Sequence, residues 1–381
     1  VIYLDSAATT AVRREVLQEM WPFLTGDFGN PSSHSELGAV AADALADARS
    51  RIAVVFGCRA SEVVFTSGGT EGANLAIKGI ALATPRGRHI VTTAIEHPAV
   101  LESCDYLERF HGFEITRLGV DHVGLVDPAE IEAALRPDTT LVSVMYANNE
   151  VGSVQPIVEI ARAAHGVGAA VHTDAVQAPG ALGLDVRVLG VDALGISGHK
   201  LGAPKGIGAV YLRSRLDIEP VAHGGGQERG RRSGTENVAG AVGLAAALEI
   251  AERARLEGVD RVAAIRDEFV RDVLSVVPGA RLTGPAGARL AGSASFTFDG
   301  TSGESIVLEL ERRGIVCSSG SACAAGRDEP SHVLLAMGVA PELAQTAVRF
   351  GFGDGVTGPE LAGVAVAVGA AVTAVRAGRT N

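Results

Sequence analysis

The sequence predicts an α/β protein: a large domain on a mostly parallel, seven-stranded sheet, followed by a smaller C-terminal α+β domain. Three observations carry this. Of 381 residues 47% are hydrophobic and only 4% aromatic, as in a core built from alanine, valine and other small aliphatic residues. From about residue 60, short β-branched runs alternate with segments of helical period, the pattern of a parallel sheet with helices on both faces. Beyond about residue 256 that alternation stops. The length also exceeds what one small core needs and suits two domains sharing an interface.

The strand-like runs are EVVFTS, HIVTTAIE, EITRLGV, TLVSVMYAN, AAVHTDAV, ALGISGH and IGAVYLR, each bounded by Gly, Pro, Asn or Asp. Between most of them lie helical segments such as NLAIKGIALA, AVLESCDYLERF and PIVEIARAAHGVG. One helix is expected from about Glu236 to Arg255, and a second begins at Gly258. After these come the strand SASFTFDG, the helix SGESIVLELERRG, the strand IVCSSG, the strand AVRFGFG and a last helix.

Composition narrows the function. A formal net charge of -11 argues against a general nucleic-acid surface, which needs clustered Lys and Arg. The local basic stretch Glu228-Arg229-Gly230-Arg231-Arg232 could still meet an anion. The longest apolar run, Leu361 to Val375, is short for a membrane span, and VIYLDSAATT reads as a strand and loop with no charged leader. A cytoplasmic location is expected. Four cysteines, Cys58, Cys104, Cys317 and Cys323, show neither CxxC spacing nor a histidine at finger spacing, so no metal site is expected. Cys58 and Cys104 read as buried, inert thiols. Only three lysines occur, Lys78, Lys200 and Lys205, so amine chemistry has three candidates.

The chemistry gathers at successive strand ends. In VVFTSGGTEGANLAI a strand meets a Gly68-Gly69 turn and a helix near Thr70, where unbonded amides favour an anion such as phosphate. An ordinary αβ turn capped by Thr70 has the same sequence. Asp174 ends the strand in AAVHTDAV, the edge at which α/β sheets place ligands, although an Asp there also caps turns. Lys200 follows Ser197, Gly198 and His199 just past another strand; Lys78 looks like a surface lysine on a helix. Pyridoxal phosphate needs an amine for a Schiff base, a carboxylate on its ring nitrogen and a phosphate cup, and these segments supply one each. His97, in TAIEHPAV, would give the ring an imidazole face. Cys323 lies in a loop of Ser, Gly and Ala where a thiol is accessible; Cys317, within an apolar strand, is the structural cysteine.

Ordered motifs then run nearly end to end: YLDSAATT, GNPSSHSELG, FTSGGTEGANLAIKG, EHPAVL, YANNEVGSVQPI, HTDAVQA, SGHKLGAPKGIGA, GGGQERGRRSGTENV, SSGSACAAGRDEPSHVL and VRFGFG. The chain resembles the cysteine desulfurases of the class V aminotransferase family, fold-type I pyridoxal-phosphate transferases, and SSGSAC is similar to their group I branch. The resemblance implies a large cofactor-binding domain over 15–255, with 1–14 and 256–381 forming the small one. It implies that Lys200 holds the cofactor as a Schiff base and removes the Cα proton, and that Asp174 pairs with the pyridine nitrogen. Gly69, Thr70, Ser197 and His199 would bind the phosphate, and Thr235 would reach the phosphate of a neighbouring subunit, making a homodimer. His97 would stack on the ring and serve as acid or base, with Asn149 and Gln177 near its ring oxygen. Arg349 with Asn149 would hold the carboxylate of the substrate, L-cysteine. The Cys323 thiolate would take the sulfur as a persulfide and release L-alanine.

Gly72 and Ala73 stand where many members of that family carry polar residues, while Thr70 and Glu71 remain. The chain ends soon after its last helix, without the tail through which similar proteins dock an iron–sulfur scaffold. The acceptor is therefore open between such a scaffold, a tRNA-thiolation carrier and a DNA-sulfur-modification partner; no membrane and no direct nucleic-acid contact are expected. Two other readings stand beside this one. One is another enzyme of the same fold, a selenocysteine lyase or an aminotransferase, in which Cys323 is incidental. The other is a sulfur-carrier or scaffold subunit, against which the joint presence of Lys200, Asp174, His97 and Cys323 argues.

Overall fold

In a computed structural model of the protein, residues 1–83, 86–320 and 329–378 are described. The chain enters through β1 (Ile2–Tyr3) and then two helices, α1 (Arg14–Thr25) and α2 (Glu36–Phe56). α2 starts at Ser35, whose side chain accepts the Gly38 N–H, and stops at Gly57 in the left-handed region, a Cβ-free position that lets the chain turn away. Then the expected alternation begins: β2 (Val63–Thr66), α3 (Gly69–Ala83), β3 (His89–Thr93), α4 (Pro98–His111), β4 (Glu114–Leu118), α5 (Pro128–Ala134), β5 (Thr139–Ser143), α6 (Ile157–Val167), β6 (Ala170–Asp174), α7 (Val186–Leu189), β7 (Ala193–Ser197) and β8 (Gly208–Leu212).

These strands form one seven-stranded sheet in the order β2-β8-β7-β6-β5-β3-β4. β8 is antiparallel to both neighbours and the other pairings are parallel. Every residue of β2, β3, β5, β7 and β8 is buried, because helices cover both faces; β4, at the edge, is largely exposed or half-buried. The strand order reverses between β3 and β5, and there the carboxyl ends open a crevice.

Next comes α8 (Val238–Val276), a single helix of 39 residues. This corrects the expectation of two helices meeting at Gly258. A glycine inside a helix costs only about 1 kcal/mol, and each half of α8 is held by its own partners. Val238 to Ala251 pack on α1 and α2 in the sheet's core, whereas Val262, Phe269 and Val273 enter a second core. A Cβ on Gly258 would meet nothing, so this glycine serves no packing need.

The second core is built from β9 (Ala280–Leu282), β10 (Ser293–Phe298), α9 (Gly303–Glu311), β11 (Ile315–Val316), β12 (Ser318–Ser319), α10 (His332–Ala336), α11 (Pro341–Ala344), β13 (Val348–Gly351) and α12 (Gly358–Gly378). Four of these strands make an antiparallel sheet, β12-β13-β10-β9. Phe269 sits edge-on to Phe296, Phe350 and Phe352, with ring centroids 5.3 to 6.5 Å apart, the preferred aromatic geometry. α12 is long and apolar enough by composition to cross a membrane, but Leu361, Val364, Ala365, Val368, Ala371 and Val372 are buried in this core. The expected strand IVCSSG is two: Val316 pairs with Tyr3 in a parallel β1–β11 ladder, and Ser318 pairs with Arg349 in the four-stranded sheet. Between them Cys317 turns inward, and burial pushes its thiol up to about 12.

Most of the basic stretch is engaged within the fold, although Arg231 Nη1 is buried without a partner. Glu228 is buried and takes two N–H bonds from Arg49, both 2.7 Å, and a third from the Phe65 amide at 3.1 Å. Arg229 donates to Val63 O at 2.6 Å and Arg232 to Glu71 Oε1 at 2.7 Å. Glu228 and Arg229 both adopt left-handed φ, 48° and 59°, a strained geometry for side-chain-bearing residues. The ion pair holds that strain in place and so anchors the loop before α8. Glu228→Gln keeps the shape but leaves Arg49 a buried cation without its counter-charge. Its urea midpoint should fall by the equivalent of about 3 kcal/mol, and a midpoint equal to the parent's would refute the anchoring role.

Candidate active site

The carboxyl ends of β3, β5, β6 and β7 converge on a cavity of about 280 Å³, at the small end of the range for cofactor pockets. Gly69, Thr70, His97, Asn149, Asp174, Gln177, Ser197, His199, Lys200 and Arg349 all line it, as do Ala7, Ala8, Met145, Ala147 and Val176. Ten of the twelve residues singled out from sequence thus share one cavity. Thr235 does not: it is exposed, in the segment leading to α8. Cys323 lies outside the described residues. A second cavity, of about 350 Å³, adjoins the first at Ala7, Asn149, Gln177 and Lys200, and runs between α8 and the Gly351–Asp354 turn.

α3 begins at Gly69, and Gly72 N–H to Gly68 O, at 3.0 Å, is its opening bond. The Gly69 and Thr70 amides therefore lie ahead of the helix ladder, at its positive end. A Cβ on Gly69 would come within 2.6 Å of Val176 Cγ2, so only glycine lets this turn press against the end of β6. The adjacent Glu71 does not leave a bare negative charge there, because it accepts from Ser67 N–H and Arg232 Nε, each at 2.7 Å. Ser197 ends β7 on the same side. His199 is driven down to about 4 by burial and by Lys200 and Lys205, so it is neutral near pH 7.

Asp174 is the last residue of β6. Burial raises its carboxyl above the usual range, opposed by the Val176 amide at 2.9 Å and by the charges of His97 and Lys200. A cationic ring nitrogen beside it would stabilise the carboxylate and be stabilised in return. His97 caps α4: its Nδ1 accepts the Ala99 N–H at 3.1 Å, which puts the proton of the neutral ring on Nε2. Burial lowers His97, Asp174 counters, and Lys200 and His332 lower it further. Lys200 Nζ donates to Ala7 O at 2.6 Å and Ala8 O at 2.7 Å, and Gln177 Nε2 to Ala7 O at 3.1 Å. Of the other lysines, Lys78 lies over the Tyr106 ring at 4.1 Å and Lys205 is exposed; neither lines the cavity. Arg349, on β13, is 4% exposed and reaches Asn149 O at 3.1 Å, while its buried Nε has no partner. An amine, a carboxylate, an anion cup, an imidazole and a guanidinium in one cavity fit pyridoxal phosphate carrying an amino acid.

Cys104 is buried as expected, whereas Cys58 is only partly buried; burial pushes each thiol up to about 12. Sequence reasoning passed over the Ala7 and Ala8 carbonyls, because a backbone acceptor leaves no mark on residue type. It also passed over Glu96, although a glutamate inside the apolar run TTAIEHP is a legible anomaly. Its Oε1 accepts from Thr93 Oγ1 at 2.6 Å and Met145 N–H at 2.9 Å, and its Oε2 is buried without a partner. His332 Nε2 meets its backbone oxygen at 3.0 Å.

Burial pushes Glu96 up to about 8. A raised carboxyl contributes stability that is complete below the ordinary glutamate range and is lost as pH rises through the folded-state value. Between pH 5 and pH 8.5 the parent should therefore lose stability relative to Glu96→Gln, which cannot ionise. Urea midpoints at the two pH values test this; parallel changes in both proteins would refute it.

A profile of the aminotransferase class-V family matches residues 2–361. The cysteine desulfurase IscS of Dictyoglomus turgidum is 47% identical over 353 residues, covering 92% of this chain and 89% of the relative. The IscS of Methanosarcina thermophila is 46% identical over 92% of this chain and 87% of its own. Among solved structures, a NifS-like protein superposes with a TM-score of 0.91 at 37% identity, over 98% of this chain and 99% of that one. SspA in complex with cysteine gives 0.81 at 36% identity, over 92% and 99%. With the strand ends, the turn before α3 and Lys200 placed as the sequence motifs require, the chain belongs to the class-V aminotransferases and, within them, to the cysteine desulfurases.

Proposed function

We propose that this protein removes sulfur from L-cysteine, giving L-alanine and a persulfide on Cys323. The observation that carries the reading is the single cavity holding Lys200, Asp174, His97 and Arg349 at the ends of four strands. Pyridoxal phosphate, the cofactor of this family, supplies an electron sink when bound, so that an amino acid's Cα–H becomes acidic. The amides of Gly69 and Thr70, with Ser197 and neutral His199, would hold the phosphate. Asp174 would keep the ring nitrogen's proton, His97 would cover the ring, and Asn149 and Gln177 would lie near its ring oxygen. Arg349 would take the substrate carboxylate. Lys200 carries the Cα proton, its Nζ guided by the Ala7 and Ala8 carbonyls.

Sulfur transfer then needs a thiolate. As the C–S bond of the substrate breaks, an S–S bond forms at Cys323, and the carbon fragment takes up protons to leave as L-alanine. One cysteine and one enzyme thiol become one alanine and one persulfide, with no external oxidant. A sulfur-acceptor protein would then collect the outer sulfur. We further infer a homodimer in which the exposed Thr235 of one subunit completes the phosphate site of its partner.

Cys323→Ser removes the sulfur acceptor and leaves the cavity untouched. This variant should stay yellow, still bind L-cysteine, and release alanine at least about a thousandfold more slowly, equivalent to about 4 kcal/mol of barrier. Cys317→Ser should retain nearly full activity, because that thiol is buried in the second core. Sulfide and alanine assays with mass detection of the persulfide decide the matter; parental turnover by Cys323→Ser would exclude the mechanism.

Shared sites have their own test. Lys200→Ala alone should lose both colour and activity. Co-expressed with Thr235→Ala as a heterodimer, it should place both lesions in one site and leave the other intact. Activity above either parent homodimer supports sharing, and activity no higher than either, in a proven heterodimer, rules it out.

A further inference from the structure

The segment between β1 and α1 has so far contributed only carbonyls, yet it runs through the middle of the molecule. Leu4 N–H bonds to Val316 O at 2.8 Å, Ser6 N–H to Gly351 O at 3.0 Å and Gly351 N–H back to Leu4 O at 2.8 Å. Residues 4–6 therefore bridge β11 and β13, with Asp5 and Gly351 forming an isolated parallel bridge. Just beyond them, the Ala7 and Ala8 carbonyls receive Lys200. Asp5 stands where these contacts cross. Its Oδ1 accepts from Arg349 Nη2 at 3.0 Å and from Ser318 Oγ at 2.9 Å, and Ser318 is the residue paired with Arg349 across β12 and β13.

Two of the five guanidinium N–H groups of Arg349 are thus committed in fixed directions, one to Asp5 and one to Asn149 O. A planar fork recognises a carboxylate through paired, parallel N–H bonds, so its orientation decides whether a ligand is met squarely. The charge matters as well as the direction. Arg349 is almost wholly buried, and Asp5 supplies the counter-charge that lets a guanidinium remain there while the site is empty of substrate.

We propose that Asp5 is the positioning residue of the carboxylate subsite: it fixes the plane of the Arg349 guanidinium so that a substrate α-carboxylate meets it already oriented. This rests on the reading of Arg349 as the carboxylate holder. Asp5 itself does not touch the reacting atoms; it acts through Arg349, and Ser318 holds it in place.

The test uses two amines that differ only by the carboxylate, L-alanine and ethylamine, titrated into the cofactor-loaded protein and followed by absorption. Asp5→Ala should weaken L-alanine about tenfold, the effect of losing a charge-assisted contact, and leave ethylamine unchanged. Asp5→Asn keeps the size and one acceptor oxygen and should fall between the parent and Asp5→Ala; it also carries the test if Asp5→Ala does not fold. Arg349→Gln should weaken L-alanine and spare ethylamine. If both Asp5 variants bind L-alanine as the parent does while Arg349→Gln does not, Asp5 has no positioning role. Equal weakening of both amines by Asp5→Asn would make the effect general damage and overturn the proposal. If Arg349→Gln binds L-alanine normally, the carboxylate subsite itself is wrong and the proposal falls with it.

Discussion

Strands that run the same way and are covered on both faces must release their chains at one edge of the sheet. That constraint governs the arrangement of this protein. Because β3, β5, β6 and β7 are parallel, the segments after them, carrying His97, Asn149, Gln177 and Lys200, leave from the same side. Asp174 needs no loop at all, since it is itself a strand's last residue. The reversal of strand order between β3 and β5 opens the crevice, and α3 turns its positive end toward it. Side chains far apart in sequence become neighbours as a result of hydrogen-bond direction in the sheet.

The second core closes the crevice from the other side. It provides Arg349 from β13 and, by pairing with residues 2–6, positions the N-terminal segment over Lys200. The buried charges of the site are matched in kind. Arg349 faces Asp5, and Asp174 is set among His97 and Lys200, whose charges favour its ionised form. The scarcity of lysine fits this division: of the three lysines only Lys200 lines the cavity, so it alone offers an amine for Schiff-base chemistry there.

Much of this was legible in the residues. The seven strands stood out because β-branched runs ended at Gly, Pro or Asx, and the site followed because strand ends are where α/β sheets bind ligands. Lys200 was singled out by the small number of alternatives and by its place after Ser-Gly-His. The continuity of α8 was not legible, since Gly258 weakens helical propensity locally while the two cores that hold the helix are distant in sequence. The division of IVCSSG at Cys317 was hidden for a similar reason: alternation shows that a strand exists and cannot show that its partner changes midway. Asp5 was invisible as a functional group because its meaning lies in what it touches.

The pairing of Ile2 with Ile315 has a consequence in time. A ribosome adds about 5 to 20 residues each second, so β1 waits on the order of 15 to 60 seconds for its partner to be made. The central sheet, with Asp174 and Lys200 at its strand ends, is complete well before then. Thr10 and Arg13 can meet His199 and Gly202 early, but the bonds of Leu4 and Ser6 to Val316 and Gly351 must wait for β11 and β13. During synthesis the cavity is therefore walled by the large sheet first and roofed last, and a nascent chain has its reactive amine in position long before it has the groups that orient a substrate.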